Sequence, residues 1–283
     1  GQYGVNTVPE LAQAKFSVHR TLAANGMLVL NSDDAFVVAE ADHTDATIWW
    51  VSLNPENPQV KGARANGIPC AYLSDQTLVF FDGHTEQPVI SVLDVPITMN
   101  GAAKYNVSNA LEALCVGKAM GLPDDAICTG LSTFRPNAKD NPGRCNEFVH
   151  NGARVFVDFA HNPHSIAAVC ETMSGLPAKR RFILLSHAGD RSDQDIYDVT
   201  ITALQFEPDI VVATEIEGYL RGRSLGETPI LIEKAVIGAG LSSDQLLFAH
   251  SPKHATRMIM DQLQAGDLAL LLVLAERDEV FQL

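Results

Sequence analysis

The sequence predicts an α/β protein in two parts, the second built on a mostly parallel sheet with helices on both faces. Three observations carry this expectation. From residue 153 onward, short apolar β-prone runs alternate with helix-length segments, the pattern of parallel strands joined by helical crossovers. Residues 69–98 hold several short β-like runs separated by turn residues, which reads as an antiparallel meander. Between these regions, Asn137 to Gly143 is polar and contains Pro142 and Gly143, the composition of an interdomain linker. The expected domains are therefore 1–140 and 141–283, and 283 residues suffice for two cores.

In chain order, Thr7-Val-Pro-Glu10 is a capping box that opens a helix expected to run through about Leu22. Met27 to Leu30 predicts a short strand, and Asn31-Ser-Asp-Asp34 after it predicts the cap of a second helix. Ala46 to Leu53 predicts another buried strand. The meander is followed by helices over about 105–120 and 123–134. In the second part, strands are expected at 153–158, 181–186, 209–213, 245–248 and 267–274. Helices are expected between them at 163–175, 192–205, 226–238 and 252–264.

Asn141-Pro-Gly-Arg144 leads into a hairpin turned at Asn151-Gly152, and the second hairpin strand ends in Asp158-Phe-Ala-His161-Asn162-Pro163. Polar groups thus gather where a buried strand gives way to a helix start, with Pro163 suited to the first turn. That is where ligands bind in open α/β sheets, and where anions are favoured. Asp158 alone would serve as a helix cap. Capping requires neither His161 nor Asn162, so the ordered set reads as a nucleotide site. His161-x-x-His164 has a spacing compatible with a metal, but no third ligand stands nearby.

Composition excludes several classes. Hydrophobic residues make up 46% and charged residues 19%, which is globular. A formal charge of −14 argues against nucleic acid as a partner, because phosphate affinity needs clustered Lys and Arg. The apolar run from Leu268 to Ala275 is too short to span a bilayer, so no membrane partner is expected. Five scattered cysteines without a C-x-x-C pair fit reduced thiols and a cytoplasmic location. The absence of an initiator Met and of a secretory segment makes the chain look like a piece of something longer.

Several motifs together resemble the Mur ligase family. They are Leu11-Ala-Gln-Ala-Lys15, Val29-Leu-Asn31-Ser-Asp-Asp34, Val51-Ser-Leu-Asn-Pro-Glu-Asn-Pro58, Tyr105-Asn106-Val-Ser-Asn109, Pro142-Gly-Arg144-Cys-Asn146, Val157-Asp158-Phe-Ala-His-Asn-Pro-His164, Gly189-Asp190-Arg191, and Arg221-Gly-Arg223 followed by Gly226-Glu227. The Asn-Pro-Glu-Asn-Pro and Arg-Gly-Arg segments favour the Mur-ligase-like C-terminal half of the cyanophycin synthetases. The resemblance implies the rear part of a central ATPase domain followed by a Rossmann-like C-terminal domain. It implies an ATP-dependent amide ligase, which activates a carboxylate as an acyl phosphate and joins it to an amino acid. ATP and Mg²⁺ are the cofactors this implies; the partners are an amino acid and a carboxylate-bearing polymer or peptide acceptor.

Carried over by position, Asn106 and Asn109 would meet the adenine, their spacing placing both carboxamides on one helix face. Asp158 would meet the ribose, while Arg144, His161 and Asn162 would face the phosphates, a guanidinium being suited to paired phosphate contacts. Lys15 matches a lysine that several family members carbamylate, and a carbamate there would hold Mg²⁺ through oxygen. The catalytic set is thus Lys15, Arg144 and His161. Asp190, Arg191, Arg221, Arg223 and Glu227 would form the amino-acid site, with Arg191 or one of the 221–223 pair on the α-carboxylate. The acidic run expected near residue 215 is interrupted by Ile216, Gly218 and Tyr219. Ser186-His187-Ala188 replaces a Gly-rich lead, and both departures count against arginine as the amino acid.

The sequence contains no G-x-x-x-x-G-K-[ST] phosphate loop; Val116-Gly117-Lys118-Ala119 lacks its leading Gly and its hydroxyl. Two readings follow. The chain is part of an amide ligase, completed by the missing phosphate-loop portion or by a second copy and inactive in isolation. Alternatively, it is a non-catalytic nucleotide- or amino-acid-binding remnant or interaction module.

Overall fold

A computed structural model describes residues 4–283 as two compact units, one ending at Phe134 and the other beginning at Arg135. The first unit opens with α1 (Val8–Phe16), capped by Thr7 and Glu10 in the expected box. The helix stops at Phe16, short of Leu22, and continues as a tighter 3₁₀ segment over Ser17–Thr21. Hydroxyls explain the change, because Ser17 donates to Ala14 O at 2.6 Å and Thr21 to Val18 O at 2.8 Å. Both bonds tighten the winding to three residues.

β1 (Met27–Asn31), α2 (Ala35–Glu40), β2 (Thr47–Ser52), α3 (Pro58–Ala65) and β3 (Cys70–Ser74) follow. They alternate as parallel strands with crossover helices. β4 (Thr77–Phe81) and β5 (Glu86–Ser91) then complete the sheet as the antiparallel meander, in the order β1-β2-β3-β4-β5. α4 (Lys104–Ala119) and α5 (Asp124–Thr133) close the unit. Side chains alternate across the strands, so Val51, Ala71, Leu78 and Phe80 bury against Leu111 and Leu114 of α4. Cys70, Tyr72, Val79 and Phe81 bury on the other face, against Val60 and Ala63 of α3. Gly117 lies in α4 because a Cβ there would sit 3.0 Å from Ile127 of α5. Neighbouring Lys118 pairs with Asp124 at 2.5 Å.

The second unit contains β6 (Asn146–His150) and β7 (Ala153–Asp158), paired as the predicted hairpin. Then come α6 (Pro163–Ser174), β8 (Arg181–His187), α7 (Asp193–Ala203), β9 (Ile210–Glu215), α8 (Glu227–Gly238), β10 (Leu246–Ala249), α9 (Pro252–Met260) and β11 (Leu268–Leu272). A short α10 (Arg277–Val280), which no sequence pattern announced, ends the unit. The six-stranded order is β10-β9-β8-β11-β7-β6, parallel except for the hairpin. The last strand therefore enters between β7 and β8. Val155, Val157, Phe182, Leu184 and Leu271 point to the face covered by α9, whose Ala255 and Ile259 are fully buried with them. α6, α7 and α8 pack against one another in series, and Phe156, Ile183, Leu185 and Leu270, of opposite strand parity, are buried as well. Burial on both faces explains why these strands read as continuous apolar runs.

Candidate ligand site at the strand ends of the second unit

The turn before β6 is held from beneath by Asp158. This carboxylate, 5% exposed at the end of β7, accepts the Cys145 amide at 2.8 Å through one oxygen and the Ala160 amide at 2.6 Å through the other. Asn146 locks the same turn, accepting from Gly143 N at 2.7 Å and donating to Asn141 O at 2.8 Å. Gly143 and Cys145 adopt φ of 75° and 47°, the left-handed conformation that a tight reversal demands. Burial raises the Asp158 carboxyl above its usual range, while the Cys145 and Ala160 amides pull it back. Its oxygens are therefore organising the backbone, where the sequence comparison expected a ribose contact. Arg144 emerges exposed from the pinned turn, its guanidinium 5.2 Å from the Phe159 ring.

Asn162 caps α6, its carboxamide oxygen accepting from Ser165 N at 3.0 Å while Ser165 answers as the fourth member of a capping box. The chain therefore uses Asn162 to start a helix, and only its NH₂ is left for a phosphate. His161 Nδ1 lies 2.9 Å from Phe159 O. A carbonyl can only accept, so Nδ1 carries the proton and Nε2 remains open. His164 is exposed on the first turn of α6. No group of three or more His, Cys, Asp or Glu placed to hold a metal occurs among the described residues.

Two further loops meet at the ends of β8 and β9. Gly189 donates to Tyr219 O at 2.8 Å, and a Cβ at Gly189 would stand 1.9 Å from Leu220 O. Only glycine permits this approach. Arg223 fastens the contact through Gly189 O at 2.9 Å, Arg191 O at 2.6 Å, Asp193 at 2.8 Å and Glu227 at 2.6 Å. Glu227 also accepts from Ser224 N at 3.1 Å. Arg223 and Glu227, expected at the amino-acid site, are thus largely engaged in joining the loops. Glu215 is likewise turned to Gly226 N at 2.8 Å. Arg221, at a left-handed φ of 45°, pairs with Asp190 at 2.7 Å and lies 4.9 Å from the Tyr219 ring. That guanidinium holds Asp190 below the usual carboxylate range. Arg191 is exposed and makes no ion pair among the described residues.

These loops surround a cavity of about 270 Å³ at the carboxyl ends of β7, β8, β9 and β11. Its wall brings together His161, Arg191 and Arg221, with Phe159, Tyr219 and Leu274 as the apolar part. It also includes a residue that sequence reasoning did not propose, His187, 5% exposed at the last position of β8. Burial, with Arg191 nearby, lowers its pKa to about 4, so it is neutral at pH 7. The signal was present in Ser186-His187-Ala188, which the sequence pattern marked only as a departure. Neither Asp190 nor Glu215 faces this space.

In the first unit, Asn106 donates to Ile97 O at 2.8 Å and accepts from Asn109 at 3.2 Å. Asn109 is the exposed member of the pair, so Asn106 positions and Asn109 presents. Polar side chains also meet at the ends of β1 and β2, where Asp33 binds Ser52 and the Leu53 amide and Asn31 binds Ser108. Lys15 is exposed on α1 and borders an apolar groove of about 380 Å³ lined by Val8, Leu11, Phe16, Leu28 and Phe36. Of the carboxylates at this groove, Asp34 caps α2 at 2.8 Å and Glu40 pairs with His43 at 2.9 Å.

Comparison with known proteins agrees with this architecture. Residues 143–272 match the glutamate ligase domain of Mur ligases. The chain is 32% identical over 267 residues to a cyanophycin synthetase of Synechocystis sp., covering 94% of this chain and 29% of that protein. It is 29% identical over 210 residues to a UDP-N-acetylmuramate–L-alanine ligase of Nitrosomonas eutropha, covering 73% of this chain and 41% of the other. The chain thus spans less than a third of the cyanophycin synthetase. Among solved structures, Escherichia coli FolC in complex with ADP superposes with a TM-score of 0.67 at 18% identity, over 98% of this chain and 58% of that one. From the ordered motifs, the strand order and these similarities together, the chain belongs to the Mur ligase family.

Proposed function

We propose that this chain is the rear part of the central ATPase domain and the C-terminal domain of an ATP-dependent amide ligase, of the kind its cyanophycin synthetase relatives are named for. The observation that carries this reading is the gathering of His161, Arg191 and Arg221 around one cavity at the carboxyl ends of four parallel strands, the place where such sheets bind ligands. In this proposal the second unit receives the amino acid, with Arg191 free to take a carboxylate. Arg144 would hold phosphate oxygens, and Asn109, braced by Asn106, would meet the adenine edge. An exposed carboxamide offers one donor and one acceptor, which suits a purine edge. ATP would supply the phosphoryl group that makes the acceptor carboxylate a good electrophile, and the amino acid's amine would then displace phosphate. A carbamate on Lys15 would bring oxygen ligands for Mg²⁺ to the edge of the groove that Asp34 and Glu40 also border.

The apolar groove along β1, with Leu11 and Phe36 exposed, supports a further element of the proposal. The groove is covered by the portion that carries the phosphate loop, or by a second copy of this chain. In isolation the chain would have no ligase turnover. Titration calorimetry with ATP and Mg²⁺ tests the nucleotide assignment, with Arg144→Ala and Asn109→Ala as variants. Weaker binding in both is expected, and heats equal to the parent's in both would defeat it. Asp158→Ala is the poorer probe, since it would release the turn that presents Arg144.

A further inference from the structure

The short α10 is anchored more firmly than its length suggests. Glu276, at a left-handed φ of 57°, accepts the Lys253 amide at 2.9 Å and so joins the start of α9. Val280 is buried in the same core cluster as Ile259, and the Phe281 ring lies 5.7 Å from that of Phe148 in β6. Val280 N and Phe281 N return to Glu276 O and Arg277 O at 2.9 and 3.0 Å. Arg277 therefore leaves a backbone that is fixed on both sides.

From there its stem crosses to the turn that carries Arg144. Gly143 is buried between exposed Pro142 and exposed Arg144, and a Cβ built on it would stand 3.0 Å from Arg277 Cδ. Nη1 lies 3.5 Å from Pro142 O. Ion pairing does not hold this guanidinium. Its Nε is buried without a hydrogen-bond partner among the described residues, and the exposed Asp278 carboxylate stands 3.5 Å from it, where solvent leaves such a pair worth little. What places the side chain is its apolar stem, packed on the turn. Asp158 and Asn146 grip the same turn through Cys145 N, Gly143 N and Asn141 O. Those bonds leave the Pro142–Gly143 face to Arg277.

We propose that Arg277 is a positioning residue for Arg144: its stem clamps the Pro142–Gly143 face of the turn and sets the direction in which the Arg144 guanidinium points. Arg144 is exposed, and its guanidinium meets the Phe159 ring at 5.2 Å, so its aim is inherited from the turn backbone. A small rotation at Gly143 is magnified at the end of so long a side chain. Arg277 acts through Arg144 and does not itself touch the ligand. The inference rests on the reading of Arg144 as the residue that holds phosphate, but the clamp can be tested without nucleotide.

Hydrogen exchange at the Gly143 and Cys145 amides of the 283-residue chain reads the clamp, with β8 amides as the reference for global opening. Arg277→Ala should speed exchange at both turn amides by about fivefold or more relative to β8. Arg277→Met keeps the stem and should stay within about twofold of the parent. Calorimetry with ATP and Mg²⁺ then reads the effect on Arg144 as a double-mutant cycle. Arg277→Ala should weaken ATP about threefold or more in the parent, but by less than about 1.5-fold in Arg144→Ala, because lost aim cannot affect an absent side chain. Equal, measurable losses in the two backgrounds would overturn the proposal, as would no loss from Arg277→Ala where Arg144→Ala weakens binding. Arg277→Met as weak as Arg277→Ala would do the same, since the charge and not the stem would then matter. So would turn amides indifferent to Arg277→Ala. Turn amides that respond in a chain whose ATP binding is absent, or unaffected by Arg144→Ala, would sink the nucleotide reading and leave the clamp standing.

Discussion

Acid should weaken the second unit through His187. Burial holds this imidazole at a pKa of about 4 against an ordinary 6.5, with the Arg191 charge acting in the same direction. The unfolded chain thus takes up a proton that the folded chain refuses. Stability from this group is intact above about pH 6.5 and is lost as pH falls from there towards 4. Linkage gives a loss of about 2 kcal/mol at pH 5, rising to ~3 kcal/mol near pH 4. Asp158 works in the opposite sense, because its raised carboxyl gains a proton on folding. Comparison with His187→Gln cancels that contribution, since the variant removes only the imidazole. Both tryptophans lie in β2 of the first unit, so fluorescence would report the wrong half. Hydrogen exchange at β8 and β11 amides, in increasing urea and corrected for intrinsic rates, reads the second unit directly. Between pH 7.5 and 5 the parent should lose about 2 kcal/mol more than the variant. Losses that agree within roughly 0.5 kcal/mol would refute the assignment of His187 as a buried neutral group.

Three further outcomes follow from the geometry. Gly189→Ala should cost roughly 1–3 kcal/mol, because its Cβ would stand 1.9 Å from Leu220 O, whereas Gly218→Ala meets nothing within 4 Å and should melt close to the parent. Asp158→Ala should destabilise by on the order of 3 kcal/mol through two orphaned amides, while exposed Arg144→Ala stays within about 0.5 kcal/mol; equal denaturation midpoints for the two would contradict the pinned turn. Light scattering at high concentration should show self-association of the chain through the groove beside β1, and Leu11→Glu with Phe36→Glu should return it to monomer; a parent that is monomeric throughout would remove the groove as an interface between copies.

Much of the fold was legible because local and tertiary preferences agree. The β7 to α6 passage carried a turn dipeptide, an apolar run and a first-turn Pro, and the structure uses each of them, but the helix cap is Asn162, where the sequence offered Asp158. The first helix was overextended because its apolar spacing persists after Phe16, although serine and threonine hydroxyls already favour tighter winding there. The strand order was not legible. Nothing local in the run from Leu268 to Leu272 says that it inserts between β7 and β8. For the site, residue type located the loops but did not divide their labour. Arg221 and Arg223 are two positions apart in one loop, yet one borders the cavity and the other ties backbone to backbone. Only the positions of Gly189 O and Arg191 O separate them. His187 escaped because a histidine at a strand end gains meaning only from its surroundings, here Thr200 of α7 and the cavity wall.

The Arg223 clasp also bears on how this cavity can change. It secures the two loops through main-chain oxygens and the acids at 193 and 227, none of which depends on the side chains at 187, 191 or 219. The scaffold and the recognition surface are therefore separately mutable. New ligand preferences can arise by exchanging the facing side chains one at a time, while the frame that aims them is inherited intact.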